Sequence, residues 1–137
     1  VSTNPKFIQI LPNIYKGTRD CFFIFINREL FSNASEIFIR EYENGHYYSY
    51  DASATIQEIN AYNDLAAFFQ EKLPEISITL SYSDIVNQPE KIVSKVGKLV
   101  GTHFEMKNVS LFEHSLESEF TTYFKSYLER LKVHRDC

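Results

Sequence analysis

The chain has 137 residues, 44% hydrophobic and 15% aromatic, which is enough apolar side chain for one packed core and a single domain over residues 1–137. Fourteen Lys and Arg stand against 18 Asp and Glu, a net charge of −4, so no broad basic field exists to hold a nucleic-acid backbone or an anionic membrane. The longest apolar runs, such as Cys21 to Ile26, fall far short of the roughly 20 residues of a bilayer-crossing helix, and no basic-then-apolar leader occurs, so a cytoplasmic chain is expected.

Cys21 lies in an apolar run and Cys137 is the last residue, so a disulfide framework is not expected. His46, His103, His114 and His134 are scattered, and no Cys-x-x-Cys spacing occurs, so no metal site is expected.

Asn4 and Pro5 precede Phe7, Ile8, Ile10, Leu11, Ile14 and Tyr15, whose helical spacing stops at Gly17 and predicts a first helix. Cys21-Phe22-Phe23-Ile24-Phe25-Ile26 is a continuous apolar run of strand length, of the kind covered on both faces in a parallel sheet. Its polar end, Asn27-Arg28-Glu29, then falls at the strand's C-terminal edge, where open α/β sheets place ligands. Asn33 with Glu36 three residues on has capping-box spacing and predicts a helix through Ile37, Phe38 and Ile39, broken at Asn44-Gly45.

Gly45-His46-Tyr47-Tyr48-Ser49-Tyr50-Asp51 is rich in hydroxyls and predicts a loop anchored by tyrosines. Ile59, Tyr62, Ala66, Phe69 and Leu73 step by three and four, one face of a long helix ending at Pro74. Ile76, Ile78 and Leu80 alternate with Ser77, Thr79 and Ser81, a strand with one more polar face, expected nearer a sheet edge. Pro89 opens a helix carried by Ile92, Val93, Val96, Leu99 and Val100 and closed by Gly101. A last helix is expected from about Glu119, with Phe120, Tyr123, Phe124, Tyr127, Leu128 and Leu131 on its apolar side. The order of elements is that of an α/β fold, with few parallel strands flanked by helices.

Three stretches carry a family resemblance. The segment from Ile76 to Glu90, then an amphipathic helix and Gly101, resembles the strand, Tyr-Glu-Asp-Leu, Asp-Pro-Glu, helix, Leu-Gly ending of sulfotransferase domains, read here on Tyr82-Ser83-Asp84-Ile85 and Gln88-Pro89-Glu90. Phe23-Ile24-Phe25-Ile26-Asn27-Arg28-Glu29 resembles the strand and Arg-Arg-Asp-Pro turn that holds the 3′-phosphate of the sulfuryl donor. Gly45-His46-x-Tyr48-x-Tyr50-Asp51 is similar to a Gly-His-x-Tyr-x-Tyr-Asp stretch of the bacterial sulfotransferases that carry tetratricopeptide repeats, and Phe120, Tyr123 and Leu128 match the aromatic helix closing that family.

The resemblance covers the C-terminal half of such a domain, so it implies part of a three-layer fold of the P-loop type. It further implies chemistry on 3′-phosphoadenosine 5′-phosphosulfate, a sulfuryl donor that needs a grip on its 5′ side, a cation on its 3′-phosphate and a base for the acceptor. Gly17, Gly45, Gly97 and Gly101 are the only glycines, and none stands in a strand-loop-helix that would hold the 5′ side. The family's base lies in that same earlier half. The expectation is a domain inactive alone, or one part of a longer sulfotransferase, completed by its missing N-terminal half or by self-association. The alternative is a noncatalytic binding or assembly module built on a sulfotransferase remnant. Whether the chain is an enzyme stays open at this point.

For the donor, Arg28 stands at the place of the phosphate-binding arginine, with a rival role as the ion-pair partner of a nearby carboxylate. The family's phosphate-binding serine would fall eight residues further on, where this chain has Glu36, with Ser35 one position early. A carboxylate about 4 Å from a phosphate costs on the order of 4 kcal/mol at an effective dielectric near 20, which would largely cancel Arg28. A capping role gives Glu36 a structural reason instead. His46, Tyr48, Tyr50 and Asp51 are candidates for substrate contact, against the plainer reading of a structural loop.

Overall fold

The computed structural model describes residues 6–17, 20–39 and 46–104, together with Lys125, Ser126 and Glu129. The elements run α1 (Phe7–Gly17), β1 (Phe23–Asn27), α2 (Leu30–Ile39), a 3-10 turn (Tyr47–Tyr50), α3 (Ala52–Lys72), β2 (Ser77–Ser81), α4 (Tyr82–Asn87) and α5 (Pro89–Val100). Helix and strand alternate around a parallel pair, which is an α/β arrangement. None of the described helices is long and apolar enough to cross a membrane.

The chain divides into two compact units, Val1–Asn27 with Ala61–Leu111, and Arg28–Asn60 with Phe112–Cys137. In the first, β1 and β2 pair in parallel with Phe23 opposite Ser77 and Asn27 opposite Ser81. Parallel strands need a long crossover, and residues 28–76, mostly helical, supply it. The core gathers Ile8 and Leu11 of α1, Phe25 of β1, and Ala66 and Phe69 of α3, with Phe23, Tyr62, Leu65 and Leu73 packed around them. Phe25 is the β1 residue buried deepest, and its loss to Ala is worth about 3–5 kcal/mol. Pro12 sits inside α1, where it withholds one helical N–H.

The expectation that the first strand is covered on both faces is corrected. Phe22, Ile24 and Ile26 are 44%, 43% and 50% exposed, while Phe25 between them is buried. The helices α1 and α3 pack on the Phe25 side. On the opposite side Leu80 of β2 lies beside Ile26 in the register and is buried, and α5 packs against β2. That cover does not extend over Ile24 and Ile26.

On the polar face of β2, Ser77 is turned inward while Thr79 and Ser81 are half-buried. Ser77 is buried and its hydroxyl donates to the Leu73 carbonyl at 2.7 Å, so the sequence alternation marks a hydrogen-bonded interior serine. Gly101 closes α5 with φ of 72°, the left-handed geometry predicted for a helix stop, and Thr102 N–H reaches back to the Gly97 carbonyl at 2.9 Å. The short α4 was not foreseen.

In the second unit, Ala34, Ala52 and Ile59 are buried, with Leu30, Phe31, Ile37, Phe38 and Ile56 packed against them. The Lys125 ammonium lies 5.6 Å over the Phe31 ring. The capping-box expectation is corrected here. The helix starts at Leu30, so Asn33 is an interior residue, and the N-terminal N–H of Ser32 is met by the Glu29 carboxylate at 2.7 Å. The tyrosine loop is wound into a 3-10 turn. The helix break at Asn44-Gly45 and the apolar residues Phe120, Tyr123, Phe124, Tyr127, Leu128 and Leu131 of the expected last helix lie outside the described residues.

Candidate functional site

Arg28 and Glu29 follow β1 directly, and the next residue begins α2, so their side chains fold back over that helix's first turns. The Arg28 Nε–H donates to the Ser32 hydroxyl at 3.0 Å, one helical turn on. Its Nη2 stands 3.6 Å from Glu36 Oε1, a further turn along the same side. Both side chains keep part of their surface in water, which screens the pair and makes it a modest stabiliser. Arg28 thus stands in an ion pair, one of the two roles read for it. Glu36 serves as its partner rather than as the cap expected of it.

The helix end is occupied as well. A free helix N-terminus attracts anions because its N–H groups lack acceptors, and here Glu29 places a carboxylate on Ser32 N–H. Ser35 is buried, and its hydroxyl donates to the Ser32 carbonyl at 3.0 Å. A phosphate arriving at this turn would therefore meet two carboxylates, an arginine already engaged by one of them, and a serine turned into the interior.

The second cluster grows from the 3-10 turn. Ser49 is buried and fixes the turn twice on the His46 carbonyl, by N–H at 2.9 Å and by hydroxyl at 2.7 Å. The fully buried Thr55 of α3 lies within reach of two carbonyls, Tyr48 at 2.8 Å and Asp51 at 2.9 Å, with one hydroxyl hydrogen to share. Asp51 Oδ1 accepts the Ala54 N–H at 2.7 Å, which caps α3 and explains why this carboxylate stands where it does. His46 Nδ1 lies 3.1 Å from the Tyr48 hydroxyl, the two rings edge to face with centroids 5.7 Å apart.

The structure thus brings His46 and Tyr48 together and gives Asp51 a helix to cap. Tyr50 is exposed, and Tyr47 is 84% exposed. On a 3-10 helix residues three apart eclipse, so Tyr47 and Tyr50 leave the same side of the turn. The missing signal was the 3-10 winding itself, since nothing in a run of tyrosines distinguishes it from a loop.

Among the described residues no group of three or more His, Cys, Asp or Glu could hold a metal. Comparison of the chain with family models, with curated proteins and with solved structures finds no match.

Proposed function

We propose that this chain is the second half of a sulfotransferase-like α/β domain, inactive in sulfuryl transfer by itself and completed along β1 by the missing N-terminal half or by another copy. The observation that carries this reading is the parallel β1–β2 pair with Arg28 immediately after the first strand and Pro89 to Gly101 forming the helix after the second. Order, direction and connection all agree with the pieces on which the family resemblance was read. The donor site survives in it only as Arg28, which Glu36 and Ser32 already engage.

The rival reading, a noncatalytic assembly module, has a specific observation in its favour. Phe22, Ile24 and Ile26 present an apolar face, and an open strand edge beside such a face is a pairing surface.

Calorimetric titration with adenosine 3′,5′-bisphosphate tests the site. The expected result is no binding tighter than about 100 μM, an affinity of about 5.5 kcal/mol. Tighter binding that disappears in Arg28→Ala would mean that the donor site is intact and the reading of a disarmed site is wrong.

A further inference from the structure

We draw no further inference here: the strongest candidate, the apolar face that Phe22, Ile24 and Ile26 expose along β1, belongs to the reading already proposed, and nothing in the structure shows what covers it.

Discussion

At the scale of single residues, Arg28 shows how far a sequence position carries. Its place after an apolar run was legible, because a strand needs apolar side chains and a parallel strand delivers its next residues to the ligand-bearing end. Its partner was not. The Asn33 and Glu36 spacing suggested a cap, but α2 begins three residues before Asn33, and Glu29 does the capping. Once the helix starts at Leu30, Ser32 and Glu36 lie one and two turns from Arg28 and both can reach it. Glu36→Ser removes a carboxylate and supplies the hydroxyl that the family resemblance calls for. Affinity for adenosine 3′,5′-bisphosphate should then rise by about tenfold or more over the native chain, read by calorimetry.

Tyr62 gives a pH signature at the same scale. Burial pushes its phenol above the ordinary value of 10.0, while hydrogen bonding with the Ile26 backbone works the other way and is the lesser effect. A phenol raised in the folded state stays protonated after the unfolded chain has begun to ionise. Its contribution to stability is therefore complete below pH 10.0 and declines as pH rises from there toward the folded value. Denaturant titrations between pH 8 and 11 (roughly the span around an ordinary tyrosine pKa) should show this decline in the native chain and a shallower one in Tyr62→Phe.

At the scale of elements, α5 was the most readable and offers the sharpest test. Pro89 at its start and Gly101 at its end are residues whose backbone chemistry fixes a helix boundary. Gly101→Ala places a side chain at φ of 72° and should cost about 1 kcal/mol. Gly97→Ala should cost more, about 1–3 kcal/mol, because its Cβ would lie 2.5 Å from the Thr102 carbonyl oxygen, a backbone atom with little room to yield. Thermal unfolding of the two variants orders them. The long stripe from Ile59 to Leu73 was equally legible, because five apolar residues at helical spacing have few other uses. By contrast α4 covers only six residues, too short for any period to show, and the 3-10 turn depends on Ser49 and Thr55 bonds that no local pattern announces. For β1 the sequence revealed its strand character but not its cover. A run of alternating Phe and Ile looks the same whether one face or both are packed.

At the scale of the whole molecule, the dominant feature is the open side of β1. A parallel strand is ordinarily buried on both faces, and two strands alone make a sheet too small to stand by itself. Here one face of β1 is packed, and the other leaves Phe22, Ile24 and Ile26 in water. The reading of a domain completed by a partner turns that exposure into a requirement. Sedimentation velocity across a range of concentrations, on the native chain and on Ile24→Lys with Ile26→Lys, measures this most directly. The exposed strand face is the place where a lysine blocks pairing without disturbing the Phe25 core. Concentration-dependent association is expected of the native chain, and a folded monomer of the variant. A native chain that stays monomeric throughout, or association that the lysines leave unchanged, would contradict the reading of a domain completed by a partner.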